Sequence, residues 1–108
     1  MTTFEELGVR EDLRKAIEEM GYVAPMPVQE KVIPHLLTED SDVVALAQTG
    51  TGKTAAFGLP VLQRIDPDNN RPQALILSPT RELCLQIGSD LADFSKYING
   101  LKVLPVYG

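Results

Sequence analysis

The sequence has one cysteine, Cys84, one histidine, His35, and no tryptophan. A single cysteine cannot close an internal disulfide, and a reducing, cytoplasmic setting fits such a chain. His35 has no partner pattern around it and reads as a structural or surface residue. No apolar run approaches the roughly 20 residues needed to span a bilayer. The N-terminus carries Glu5 and Glu6, the wrong charge for an export signal. Positive charge is also scarce: 10 Lys and Arg stand against 15 Asp and Glu, a net charge of −5. A nucleic-acid binder is usually basic on its contact face, so this balance counts mildly against one. It does not exclude one, because contacts from backbone N–H groups and helix N-termini leave no trace in net charge. Internal repeats and low-complexity tracts are missing too.

What is present suits a small soluble domain. The 108 residues are 44% hydrophobic and 23% charged, enough for a real core. The stretch that organises them is Ala47-Gln48-Thr49-Gly50-Thr51-Gly52-Lys53-Thr54. It follows the apolar run Val43-Val44-Ala45-Leu46 and opens into a helix-compatible segment. Strand, glycine-bearing turn and helix N-terminus, in that order, form a phosphate-binding loop. Gly50 and Gly52 let the backbone turn tightly and bring N–H groups close to phosphate oxygens. The helix adds its positive dipole end and its unpaired first-turn N–H groups. Lys53 supplies a compact positive charge for the β- and γ-phosphates, and Thr54 a hydroxyl ligand for Mg²⁺. The usual spacing begins with Gly, where this chain has Ala47.

Ahead of the loop, Leu13, Ala16, Ile17 and Met20 recur at the helical period, and Gly21 is a plausible helix stop. The carboxylates Glu5, Glu6, Glu11, Asp12, Glu18 and Glu19 read as a solvated face. Pro25 and Pro27 hold the next segment extended and then start a helix, with Pro27 at its first position. Val28, Val32 and Leu36 give this helix one apolar face; Pro34 should kink or shorten it. On physical grounds alone, Gln29 reads as an exposed helix-surface residue and Tyr22 as core.

Residues 42–46 carry no polar alternation, which suggests a strand buried on both faces of a parallel sheet. After the loop, Phe57, Val61, Leu62 and Ile65 mark a helix face, with Pro60 expected to kink the helix or end it early. Residues 66–72 are dense in turn formers. Ala74-Leu75-Ile76-Leu77 is a second strand, and Thr80 can cap the helix that follows, with Glu82 near its positive end. Leu83, Ile87, Leu91, Phe94 and Ile98 form the stripe of that helix, which Asn99-Gly100 closes. Residues 101–107 are a third strand candidate, with Pro105 pointing to an edge strand or an irregular segment. The order is two leading helices, then β–α–β–α–β with a right-handed crossover. The expected fold is α/β, a parallel sheet with flanking helices and a ligand at the carboxyl ends of the strands. Three strands leave exposed edges, so the chain reads as the front of a larger domain.

The chain resembles the N-terminal part of a DEAD-box ATP-dependent RNA helicase, over residues 4–108. In that family Ala is the usual first residue of the phosphate loop, as Ala47 is here. Gly21 to Gln29, with the isolated Phe4 upstream, resembles the family's Q motif. Pro79-Thr80-Arg81-Glu82-Leu83 resembles its first RNA-contacting motif, and Val106-Tyr107-Gly108 the approach to a glycine pair near RNA. The resemblance implies a partial RecA-like P-loop domain, with residues 1–40 as a Q-motif helical segment and 41–108 as the first part of the ATP-binding domain. It implies ATP and Mg²⁺ held by Ala47 to Thr54, with Gln29 reading the adenine edge, Tyr22 on the adenine face and Phe4 closing or supporting the same pocket. It implies RNA backbone contacts at Pro79, Thr80, Arg81, Glu82 and Gly108, blind to base sequence. One departure is Met26, which stands where the family usually has Thr or Ser. A hydroxyl that would brace the loop is lost there, and somewhat weaker adenine binding is expected. Cys84 stands where Ala is common and reads as a small buried residue.

The resemblance also implies parts that these residues lack: the Asp-Glu-Ala-Asp and Ser-Ala-Thr motifs, and arginines from a second RecA-like domain beyond residue 108. Two readings therefore stand. The chain is the ATP-binding portion of an RNA helicase that unwinds short duplexes when complete, or a nucleotide- or RNA-binding fragment without catalysis.

Overall fold

The computed structural model describes residues 2–39, 42–44 and 52–107. Among the described residues four helices carry the architecture: α1 (Glu11–Glu19), α2 (Pro27–Thr38), α3 (Gly52–Arg64) and α4 (Arg81–Phe94). They enclose one apolar cluster. Phe4, Leu7 and Val9 enter it from an N-terminal turn, Leu13 and Ile17 from α1, Ile33 from α2, Leu59 and Leu62 from α3, and Leu91 and Phe94 from α4.

The helix ends follow local chemistry. At the end of α1, Gly21 takes φ +96°. Its N–H bonds the Glu18 carbonyl and the Tyr22 N–H bonds the Ile17 carbonyl, both at 3.0 Å. That pair of bonds is the Schellman arrangement, which needs a residue tolerant of left-handed backbone. At the start of α2, Pro27 occupies the first turn, where its missing N–H costs nothing. At the start of α4, the Thr80 hydroxyl accepts the Leu83 N–H at 3.1 Å, as expected of a cap.

Other expectations fail in instructive ways. Neither Pro34 nor Pro60 ends its helix. Pro60 is fully buried, and the packing of α3 outweighs the lost hydrogen bond. The buried side of α3 is Ala55, Ala56, Leu59 and Leu62, with Phe57 and Val61 only half-buried. Small residues are needed there because α4 lies close: a methyl group on Gly58 would come 2.7 Å from Leu91 Cδ2. Helix α4 stops at Phe94, a turn before Asn99-Gly100. Ser95 Oγ donates to the Leu91 carbonyl at 2.8 Å, alongside the Ser95 N–H, which bonds the same oxygen at 3.1 Å.

Among the described residues no β-ladder forms, so the expected parallel sheet is not observed. Residues 74–77 and 101–107 have no regular structure, and of the first expected strand only 42–44 are described. The segments nonetheless alternate as strands do. Ile76, Leu101 and Val103 rest on the core, whereas Leu75, Leu77, Leu104 and Val106 are 77–84% exposed. A strand is stabilised only by partners alongside it, and these segments have none among the described residues.

Candidate nucleotide and nucleic-acid site

Two groups of expected site residues come together, at the N-terminus of α3 and at the N-terminus of α4. The first is built on Gln29, the third residue of α2. Its side chain is completely buried, contrary to the exposed position that helix periodicity suggests. Gln29 Oε1 accepts the Met26 N–H at 2.9 Å, and Nε2 donates to the Gly52 carbonyl at 3.2 Å. The first bond is the returning half of a capping box. The second ties α2 to the opening residue of α3, 23 positions along the chain. A carboxamide offers two donors and two acceptor lone pairs, so one of each is left over. The residue the sequence reading undervalued had a signal: a Gln two places after a helix-opening Pro sits where it can reach back to the cap.

Around this tie, Lys53 and Thr54 lie half-buried in the first turn of α3. Lys53 joins Val28, Val32, Leu36, Val43, Ala56 and Phe57 in lining a cavity of about 300 Å³. Among the described residues it is the one charged side chain on that lining. Ala47, Gln48, Thr49, Gly50 and Thr51, the rest of the expected phosphate loop, lie outside the described residues. Among the described residues no three His, Cys, Asp or Glu side chains gather into a metal cluster. A Mg²⁺ ion that takes most of its oxygens from phosphates and water needs no such cluster, and the Thr54 hydroxyl is a donor of the right kind.

Phe4 and Tyr22 are placed as core neighbours. Phe4 is buried, its ring 6.3 Å from that of Tyr22. Tyr22 is half-buried and meets Phe94 edge-on at 6.1 Å. Burial, with a smaller push from the Asp90 charge, raises the Tyr22 hydroxyl above its ordinary pKa. Phe4 thus packs against Tyr22 and presents little surface of its own.

The second group sits where residues 105–107 run along the first two turns of α4. Pro105 covers Gly88, where an added Cβ would stand 3.0 Å from Pro105 Cγ. The Cys84 thiol, half-buried and not the fully buried group expected, donates to the Val106 carbonyl at 3.7 Å. The Arg81 guanidinium lies over the Tyr107 ring at 5.6 Å, within cation–π range. Pro79, Thr80, Arg81 and Glu82 are all exposed. Gly108 lies outside the described residues.

The sequence pattern of the DEAD/DEAH box helicase family matches residues 26–108, and the chain belongs to that family. It is 49% identical over 107 residues to the ATP-dependent RNA helicase DeaD of Escherichia coli (strain K12), covering 99% of this chain and 17% of the relative. It is 46% identical over 108 residues to the DEAD-box ATP-dependent RNA helicase CshA of Geobacillus kaustophilus, covering all of this chain and 23% of the relative. Among solved structures it resembles Saccharomyces cerevisiae Dbp5 bound to RNA and ADP BeF3, with a TM-score of 0.84 and 39% identity over 90% of this chain and 25% of that one. It also resembles Prp28 from Chaetomium thermophilum bound to ADP, with a TM-score of 0.80 and 40% identity over 92% of this chain and 25% of that one. The chain thus spans about a sixth to a quarter of the length of these proteins.

Proposed function

We propose that these residues form the ATP-binding front of an ATP-dependent RNA helicase, built as part of a RecA-like domain with residues 1–40 as its Q-motif segment. One observation carries the reading: the buried Gln29 side chain, bonded to Gly52, joins the candidate adenine reader to the candidate phosphate loop. The spare donor and acceptor on its carboxamide match the donor–acceptor edge of adenine and mismatch that of guanine. Tyr22 lies against the base, supported by Phe4. Lys53 holds the β- and γ-phosphates, with the backbone N–H groups of residues 47–54 around them. Thr54 holds Mg²⁺, which neutralises phosphate charge when bound. Pro79, Thr80, Arg81, Glu82 and Gly108 contact RNA through its backbone, so that binding is indifferent to sequence. Because Thr80 already spends its hydroxyl on the α4 cap, its contact to phosphate is expected mainly through backbone N–H.

The share of the relatives that the chain spans fits a division of labour. Metal-holding carboxylates, coupling residues and a second RecA-like domain lie in the remainder of such a protein, which would work in the cytoplasm. The reading of these residues as a binding fragment without catalysis is tested by the same assay. In the full-length protein, ATP hydrolysis should be stimulated by RNA, prefer ATP to GTP, and vanish in Lys53→Ala. Equal use of GTP would refute the role of Gln29. A chain that binds ATP and RNA without turnover would leave the binding-fragment reading.

A further inference from the structure

Met26 stands at the cap of α2, where its thioether cannot do what a hydroxyl does: sulfur is a weak acceptor. It does something else. A methyl group placed on Gly52 would clash with Met26 Sδ and come 3.2 Å from its Cε and 3.5 Å from Gln29 Nε2. The sulfur is therefore seated directly on the opening residue of α3, beside the carboxamide that bonds the Gly52 carbonyl. The residue as a whole is 49% exposed. Met26 N–H is also the group that Gln29 Oε1 accepts from. Two contacts, one by backbone and one by sulfur, thus hold Met26 to the two residues that join α2 to α3.

We infer that Met26 is a positioning residue for the nucleotide site, and that oxidation of its sulfur by a peroxide weakens adenine-nucleotide binding. The inference rests on the function proposed above. In the oxidation the peroxide O–O bond breaks, one oxygen bonds to a sulfur lone pair, and the sulfur loses two electrons. The peroxide is reduced to water or to an alcohol. The sulfoxide oxygen is a strong acceptor set beside the first-turn N–H groups of α3, the groups expected to hold phosphate. It competes with phosphate for them and presses a polar group onto the Gln29–Gly52 bond. The other described methionine, Met20, sits at the C-terminal cap of α1.

The test uses full-length protein treated with dilute hydrogen peroxide, with the sulfoxide at residue 26 confirmed by peptide mass spectrometry. Affinity for ADP and ATP is measured by calorimetry before and after. Oxidation should raise Kd about fivefold to tenfold, while the melting temperature without nucleotide moves by no more than about 3 °C. Met26→Leu should abolish the response to peroxide, Met26→Gln should raise Kd without it, and Met20→Leu should leave the response intact. Resistance of the Met26 sulfur to peroxide, an unchanged Kd after its oxidation, or an equal response in Met26→Leu would overturn the inference and leave the proposed function standing. Untreated protein that binds no adenine nucleotide would overturn the proposed function itself.

Discussion

Replacing Gln29 by Glu changes one NH₂ for one oxygen and nothing else in shape. The introduced carboxyl can still accept the Met26 N–H with one oxygen. Its other oxygen faces the Gly52 carbonyl across the 3.2 Å now spanned by a donated hydrogen bond. Two acceptors then oppose each other in a site with no solvent exposure. Burial and repulsion both favour the neutral acid, while the N-terminal ends of α2 and α3 favour the anion more weakly. A net upward shift of about two pKa units follows, or about 3 kcal/mol at neutral pH. The sign is that of a raised folded pKa. The neutral acid donates its O–H to the Gly52 carbonyl and restores both bonds, so stability is near wild type below about pH 4. It is lost as pH rises through the folded value near 6. Gln29→Ala loses both bonds at every pH and costs about 2–3 kcal/mol throughout. Urea unfolding of the three proteins between pH 4 and 8, followed by helical circular dichroism, separates the two penalties. A Gln29→Glu penalty that is the same at pH 4 and pH 8 would refute the buried bond to Gly52.

Two further outcomes follow from surface contacts. Arg81→Ala should weaken RNA binding about equally for all sequences, lower its salt slope by about one, and leave ATP binding intact; a loss that depends on RNA sequence would count against a backbone contact. Tyr97 donates its hydroxyl to the Glu19 carboxylate, with Lys96 Nζ 3.4 Å from the same group, pinning the end of α1 to the turn after α4. The Tyr97 bond, more than the Lys96 charge, holds Glu19 below the usual carboxylate range, and the same bond raises Tyr97. The Glu19 contribution is present above the ordinary carboxylate pKa and lost as pH falls through the folded value. The Tyr97 contribution is present below its ordinary pKa and lost as pH rises through the raised value. Tyr97→Phe should therefore be less stable than wild type at neutral pH, and the two should converge in acid and in strong base; a constant gap would show that the hydroxyl acts otherwise.

What could be read in the sequence was what a few neighbouring residues decide among themselves. Gly21 ends α1 and Thr80 caps α4 because each makes its bonds within one turn. Pro27 opens α2 for the same reason. The errors begin where a distant partner decides. Pro60 is expected to kink its helix or end it early, yet α3 runs on to Arg64 with Pro60 buried against the rest of the fold. Ile98 fits the stripe of α4 by spacing, yet the helix stops at Phe94. Gln29 is the sharpest case. Its periodicity gives a surface position, its spacing from the helix start gives a capping box, and its burial comes from Gly52, 23 residues away. Only the family resemblance gave Gln29 a functional role, and it did so without showing that bond. The expected strands extend the same logic. Their alternation survives in the exposure of Leu75, Leu77, Leu104 and Val106 around the seated Ile76 and Val103. Alternation is a property of the segment, but a ladder is a property of pairs. A sequence can therefore announce a strand face long before anything lies alongside to make it a sheet.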